Sequence, residues 1–318
     1  MNRPIPSGTR DVLPDEMREL RAITGALHDV FIERGYGEVY TPAIEYEAVV
    51  GGHAVDIVGG GYHLFDEHGN VLVLRTDMTV PIARVVGSRY AHAELPLRFC
   101  YAAHVYRVVR AQRGHPRELL QAGIELIGSP AAGGTAEVLT VLCAALDAVG
   151  LQGYRIGLGD AALIPGLLAA LEVPPDAAQR MLAELVTRDF VGLEHEAAEH
   201  GVADEVLAAA TTRGGPEVLD AAPGPLADAL AGLRGVHELL GPELASRVIF
   251  DLGLARDLDY YTGAVFEVYD EALGTPLAGG GRYDDLLGRF GRPLPAVGFA
   301  INVDRLHVAL AGEERGLR

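Results

Sequence analysis

The sequence contains no lysine and no tryptophan, so all 26 of its basic residues are arginines. Against 44 acidic residues they leave a formal net charge of −18 and an isoelectric point near 5.0. A chain this acidic repels polyanions unless its arginines gather on one face, and no run of basic residues predicts such a face. The composition therefore weighs against a nucleic-acid-binding protein, although a local basic patch can coexist with an acidic whole.

Cysteine is also scarce. Cys100 and Cys143 are too few for a disulfide framework and lack metal-ligand spacing, so we predict both as small buried apolar residues. The eleven histidines form no His-Glu-x-x-His pattern, and we expect no metal site. The N-terminus lacks the apolar stretch of a signal peptide, and no apolar run reaches the roughly 18 residues that span a bilayer. These absences predict a cytoplasmic protein without a membrane segment.

The hydrophobic pattern predicts an α+β fold. Apolar residues recur at helical spacing over roughly 15–34, and the segments 62–65 and 71–75 flank a turn sequence typical of a hairpin. Further strands are predicted at 38–41, 97–109, 119–128, 248–252, 260–269 and 296–301, a polar loop at 110–118, and a helix at 135–149. We expect a mainly antiparallel sheet of roughly six strands flanked by helices. Residues 1–159 and 246–318 are predicted to form the core domain, and 160–245 a helical insertion.

Three stretches carry candidate functional side chains, each with a structural alternative. The run Gly279-Gly-Gly-Arg-Tyr-Asp284 is either a phosphate-binding loop or a tight strand-to-helix turn. Tyr260 and Tyr261 stand at the entrance of a predicted strand, where alternation would place one phenol in a pocket and the other in the packing. In the stretch 121–125, Gln121, Gly123 and Glu125 share one strand face, which is either a small polar site or a solvated surface.

Taken in their order along the chain, several motifs resemble the catalytic core of the histidyl-tRNA synthetases, a class II aminoacyl-tRNA synthetase family. They are Pro6-Ser-Gly-Thr-Arg-Asp-Val-Leu-Pro14, Leu74-Arg-Thr-Asp-Met-Thr79, Tyr106-Arg107, Gln121-Ala-Gly-Ile-Glu125, Arg256-Asp-Leu-Asp-Tyr-Tyr261 and Gly298-Phe-Ala-Ile-Asn-Val-Asp-Arg-Leu306. The resemblance covers nearly the whole chain and is weakest in 130–245. It implies the class II synthetase sheet with a helical insertion.

The same resemblance implies a histidine-binding pocket. The residues it assigns to histidine are Asp77, Thr79, Arg107, Gln121, Glu125, Arg256, Tyr260 and Tyr261. Arg305 matches the arginine that holds ATP phosphate in active synthetases, so the resemblance also implies a possible residual phosphate-binding position.

Departures from the synthetase pattern point away from catalysis. The second class II motif normally carries an acid where this sequence has Val109, which can neither donate nor accept a hydrogen bond. Asp77 replaces a glutamate, and the sequence ends at Arg318, soon after the third motif, so we expect no anticodon-binding domain. A truncated, acidic synthetase core resembles the regulatory subunits of ATP phosphoribosyltransferase, the first enzyme of histidine biosynthesis.

The resemblance to regulatory subunits implies a chain with no catalytic residue and no cofactor. Its implied partners are a short-form catalytic ATP phosphoribosyltransferase subunit, L-histidine, and a second copy of the chain within a larger hetero-oligomer, without tRNA or membrane. Because Arg107, Arg256 and Arg305 are retained, a minimal histidyl-tRNA synthetase or a histidine-adenylate-forming paralogue stays open as an alternative. The second alternative is a structural role, as a dimeric scaffold whose pocket is vestigial.

Overall fold

The structure, a computed structural model, describes residues 4–50, 61–108, 116–220, 226–256, 258 and 260–314. Its helices are α1 (Pro14–Glu33), α2 (Glu47–Val50), α3 (Thr79–Arg89), α4 (Ala131–Ala148), α5 (Leu163–Ala170), α6 (Pro175–Thr187), α7 (Phe190–Glu199), α8 (Ala203–Thr211), α9 (Ala227–Leu239), α10 (Pro242–Ala245) and α11 (Val303–Glu314). Its strands are β1 (Gly37–Glu38), β2 (Ile44–Tyr46), β3 (His63–Phe65), β4 (Val71–Leu74), β5 (Leu97–Tyr106), β6 (Glu118–Ile127), β7 (Arg155–Asp160), β8 (Arg213–Gly214), β9 (Val248–Asp251), β10 (Ala264–Tyr269), β11 (Ala278–Arg282) and β12 (Ala296–Asn302). Short 3-10 helices span Pro216–Leu219 and Leu286–Phe290.

Within the described ranges the chain forms two sheets, and the larger has nine strands in the order β1-β5-β6-β12-β11-β10-β7-β9-β8. The six strands from β5 to β7 in this order pair antiparallel throughout, whereas β1 and β9 add to them in parallel. The predicted α+β class is therefore confirmed. The predicted strand number was low, because β7 and β11 were not recognised and β8 has only two residues.

Strand β11 shows that the predicted glycine turn and phosphate loop at 279–284 are wrong. The three glycines lie in a buried central strand that pairs with β10 and β12. A Cβ on Gly280 would stand 2.1 Å from the carbonyl oxygen of Gly298, and a Cβ on Gly279 would stand 1.8 Å from Nη1 of Arg256. At both positions neighbouring atoms occupy the space that a Cβ would need, so only glycine fits. A run of glycines that is typical of turns therefore lies in a strand here.

Apolar clusters cover both faces of the sheet. One face packs against α1, α4 and α9. The cluster between them contains Cys100 and Ile124 of the sheet and Cys143 of α4, so the predicted burial of both cysteines is confirmed. Along the described parts of the chain, α4 alone has the length and composition to cross a membrane, and 56% of it is buried within the protein. The other face, with Phe99 and Tyr101, packs against α3 and the 3-10 helix at Leu286–Phe290.

Residues 160–245 are largely helical, as predicted. Helices α5 to α8 surround a third apolar cluster that includes Leu168, Met181, Leu193 and Val206. Helix α9 instead packs its buried side chains into the main core, and β8 joins the edge of the large sheet. The domain boundaries at 160 and 245 stay a prediction.

Candidate functional site

A cleft of about 190 Å³ opens beside the aromatic cluster formed by Tyr101, Tyr260 and Tyr283. Eight of the predicted site residues line it, namely Asp77, Thr79, Arg107, Gln121, Arg256, Tyr260, Tyr261 and Arg305. Glu125 lies behind this lining, 1% exposed, and contacts it through Thr79 and Tyr283. The structure thus brings the nine predicted residues together from five separate stretches of the chain.

Strand alternation on β6 places two of these residues as the sequence predicts. Gln121 and Glu125 point toward the cleft side, whereas Ala122 and Ile124 pack into the core beneath α1 and α4. The cleft is thereby built on a rigid strand that pairs along its length with β5 and β12.

The alternation predicted for Tyr260 and Tyr261 is wrong. Strand β10 begins only at Ala264, so the two tyrosines precede it and are not constrained to opposite faces. Both line the cleft, and their ring centroids lie 5.0 Å apart. Val109 and residues 110–115 of the predicted polar loop at 110–118 fall outside the described residues.

The segment between β4 and α3 is fixed by the buried guanidinium of Arg75. Its Nε donates to the carbonyl oxygen of His104 and its Nη1 to that of Thr41, each at 2.7 Å. Two residues further on, a carboxylate oxygen of Asp77 accepts a 2.9 Å hydrogen bond from the backbone N–H of Val80 in the first turn of α3. Asp77 and Thr79 therefore reach the cleft from a backbone held at both ends.

Glu125 is a carboxyl group buried behind the cleft. Thr79 donates to its Oε1 at 2.8 Å, and the hydroxyl of Tyr283 donates to its Oε2. Burial raises the pKa of Glu125 to about 8, the nearby Asp77 acts in the same direction, and the two hydrogen bonds lower it. No cationic side chain among the described residues forms an ion pair with it. A cationic ligand beside it would favour the ionised carboxylate and lower this pKa.

Arginines form a second charged group in the same cleft. Arg256 forms an ion pair with Glu267 at 3.4 Å, and its guanidinium carbon lies 5.5 Å from the ring centroid of Tyr261. Burial lowers the pKa of Arg305, and the positive charge of Arg107 lowers it further. Counted over the described residues, this group has three arginines and one carboxylate, so it can receive an anion.

Three cleft residues were not assigned to the histidine pocket from the sequence. Tyr283 follows the glycine run of β11, Tyr101 lies within β5, and Glu267 lies within β10. Tyr283 contacts Glu125 across 158 residues of chain, and no local pattern signals such a contact.

The raised pKa of Glu125 predicts a pH-dependent stability difference in the ligand-free protein. Its ordinary value is 4.5 and its folded value about 8, so the folded state binds the proton more tightly. The stabilisation from this group is fully present below pH 4.5 and is lost as the pH rises through 8. Glu125→Gln, which does not titrate, should match the parent near pH 4 and exceed its unfolding free energy by about 1–4 kcal/mol above pH 8. Denaturant titrations across this range test it, and a difference independent of pH would contradict the assignment.

Comparisons with known proteins show similarity to histidyl-tRNA synthetases and to ATP phosphoribosyltransferase regulatory subunits. The sequence profile of the family described as histidyl-tRNA synthetase matches residues 8–306. A curated ATP phosphoribosyltransferase regulatory subunit from Symbiobacterium thermophilum is 43% identical over 98% of this chain and 80% of its own length.

Two solved structures extend the likeness to three dimensions. One is described as an ATP phosphoribosyltransferase regulatory subunit/histidyl-tRNA synthetase from Bacillus halodurans C. It has a TM-score of 0.89 and 34% identity, covering 96% of this chain and 83% of its own. The other is a histidine–tRNA ligase subunit from Alicyclobacillus acidocaldarius, with a TM-score of 0.85, 33% identity and 99% coverage of both chains.

Proposed function

The chain belongs to the family of ATP phosphoribosyltransferase regulatory subunits, within the wider histidyl-tRNA synthetase family, and we propose that it makes an ATP phosphoribosyltransferase responsive to histidine. The family predicted from the motifs is confirmed. Curated members of this family are named as regulatory subunits. The chain therefore has a non-catalytic role in the first step of histidine biosynthesis. We propose that it acts in the cytoplasm, bound to a short-form catalytic subunit.

The observation that carries histidine binding is the buried carboxyl of Glu125, which lacks a cationic partner among the described residues. In our proposal it accepts a hydrogen bond from the ligand's imidazolium, while Asp77 and Thr79 receive the ammonium. The positive group with Arg107 and Arg256 receives the carboxylate. Gln121, Tyr260 and Tyr261 complete the walls of the site. Such a site suits an amino-acid zwitterion whose side chain has an additional positive charge.

Reconstitution with a short catalytic subunit tests the proposal. We expect the two chains to co-elute, phosphoribosyl transfer to depend on this chain, and histidine to inhibit the complex. Isothermal calorimetry should show histidine binding to the isolated chain. A chain that binds histidine but neither co-elutes with nor affects any short catalytic subunit would contradict the regulatory role.

A histidine-activating enzyme is the second candidate, because Arg107, Arg256 and Arg305 meet in one cleft and Arg305 could still hold a phosphate. Pyrophosphate exchange with histidine and ATP separates the two functions. We expect no charging of tRNA, because the net charge of −18 opposes a polyanion. We also expect no exchange, because in our proposal the chain is a non-catalytic subunit. Charging above background in a preparation free of synthetase would overturn the regulatory assignment.

We also propose that the chain is a homodimer within the complex. The register of the small sheet β2-β4-β3 places five apolar side chains on one face, namely Ile44, Tyr46, Leu64, Leu72 and Leu74. Tyr40, just before this sheet, is 83% exposed. A two-fold interface with a second copy would cover such a surface and is the commonest symmetric arrangement.

Light scattering tests the dimer. The parent should have the mass of two chains, and the double variant Tyr46→Glu/Leu64→Glu should have the mass of one, because facing carboxylates repel across a two-fold axis. Val191→Glu is the matched control, since Val191 is 78% exposed on the distant helix α7 and should leave the mass unchanged. A monomeric parent would refute the proposal.

A further inference from the structure

A second cleft, of about 450 Å³, lies between the C-terminal end of α6 and strand β10. It shares Arg256, Glu267 and Pro276 with the first cleft. The ion pair between Arg256 and Glu267 therefore stands where the two clefts meet.

Glu267 lines both clefts and contacts an arginine in each. Its Oε1 lies 3.4 Å from Nη1 of Arg256, and its Oε2 lies 3.6 Å from Nη2 of Arg188, which follows α6. The hydroxyl of Tyr269 donates to the same Oε2 and accepts a 2.9 Å hydrogen bond from Arg188. One carboxylate thus contacts an arginine of the ligand cleft and an arginine of the helical segment.

Arg188 holds an unusual backbone conformation. It ends α6 with φ 58° and ψ 29°, in the left-handed region where glycine is favoured at helix ends. An arginine tolerates this conformation less well than glycine, because its Cβ crowds the backbone. Its side chain is directed to Tyr269 and Glu267, so the strained residue makes the contact between α6 and β10.

We propose that Glu267 and Arg188 are positioning residues that transmit ligand occupancy from the first cleft to helix α6. This inference rests on the proposed histidine binding and specifies how the site regulates. A ligand carboxylate that pairs with Arg256 competes with Glu267 for the same guanidinium. Glu267 then turns toward Arg188 and Tyr269, and the end of α6 is held more firmly against the sheet. The helical segment α5–α8 has its own apolar cluster, so it can respond as a unit.

Hydrogen exchange with L-histidine and with histidinol as probes tests the inference. Histidinol keeps the imidazole and the amine but replaces the carboxylate by a hydroxymethyl group. In the parent, saturating histidine should slow amide exchange in 175–188 about fivefold or more, the lower range of allosteric coupling, and bound histidinol should not. Histidine should also inhibit the reconstituted complex.

Arg188→Gly is the decisive variant, because glycine suits the left-handed backbone and the fold should persist. We expect its histidine affinity to stay within about threefold of the parent, since Arg188 does not line the first cleft, while the response of 175–188 is lost. Inhibition by histidine should weaken. Glu172→Gly is the matched control, since Glu172 (φ 55°) follows α5 with the same backbone handedness and should keep the full response. Tyr269→Phe should weaken the response as a second variant.

The outcomes separate the two proposals. If calorimetry shows that the parent does not bind histidine, the proposed function fails. If histidine binds but exchange in 175–188 does not change, the coupling is refuted and the proposed function stands. A response in Arg188→Gly equal to that of the parent would also refute the coupling.

Discussion

Glu125→Gln is expected to lower the affinity for histidine about ten- to a hundredfold, the equivalent of a charge-assisted hydrogen bond of about 1.5–3 kcal/mol. The substitution keeps the shape of the side chain, and its amide can still hydrogen-bond Thr79 and Tyr283 once one of the two hydroxyls turns to accept from the amide N–H. It removes the carboxylate that a bound cation would stabilise. Because the carboxyl is 1% exposed, water cannot replace the lost interaction. Calorimetry with L-histidine at pH 7 measures the change directly.

Asp160→Asn is the matched control for this experiment. Burial raises the pKa of Asp160 to about 6, yet this residue does not line the cleft, so its neutral variant should bind histidine as the parent does. In the reconstituted complex, Glu125→Gln should keep phosphoribosyl transfer while its inhibition by histidine weakens. If Glu125→Gln binds histidine as tightly as the parent, histidine binds elsewhere and the assignment of these residues is wrong.

Gly280→Ala and Gly279→Ala, adjacent substitutions on β11, are expected to act on different properties. A Cβ on Gly280 would meet the carbonyl oxygen of Gly298 at 2.1 Å, and backbone in a central strand cannot move aside. We expect a loss of unfolding free energy of about 1–3 kcal/mol from this overpacking. A Cβ on Gly279 would meet the end of the Arg256 side chain, which can shift more easily than backbone, so stability should fall less while histidine affinity falls about tenfold.

Thermal unfolding and calorimetry on both variants separate these effects. Gly25→Ala, at an exposed position of α1 with no atom within 4 Å of the added carbon, should instead raise stability by about 0.5–1 kcal/mol. Equal losses of stability in Gly279→Ala and Gly280→Ala would show that Arg256 does not yield. It would then be wrong that backbone limits position 280 whereas a movable side chain limits position 279.

Elements with a clear hydrophobic period could be predicted from the sequence. Helix α1, the hairpin of β3 and β4, and the alternation of Gln121 and Glu125 on β6 follow from local spacing alone. Strand β11 could not be predicted, because its glycines are dictated by atoms from β12 and from Arg256, which are distant in sequence. Strand β7, Arg155–Asp160, was missed for a similar reason, since its two glycines weaken the strand pattern.

The candidate site was predicted through motif resemblance more than through local chemistry. Asp77, Gln121 and Arg305 have little in common as isolated residues, and only the order of the motifs indicated that they meet. Residues outside the motifs were missed even where their contacts are short, as with Tyr283 on Glu125. The two tyrosines at 260 and 261 were placed on opposite faces because strand alternation was applied before the strand begins.

The pairing of β6 with β12 also bears on how the chain folds. Gln121 lies opposite Asn302 and Glu125 opposite Gly298, so this part of the cleft forms only when segments more than 170 residues apart meet. Such non-local pairing has a high contact order and is slow, whereas the neighbouring helices α5 to α8 contact one another locally and form early. We therefore expect a folding intermediate with a structured helical segment and no ligand site. Histidine, if it binds only the native state, would then slow unfolding without accelerating the first helical phase.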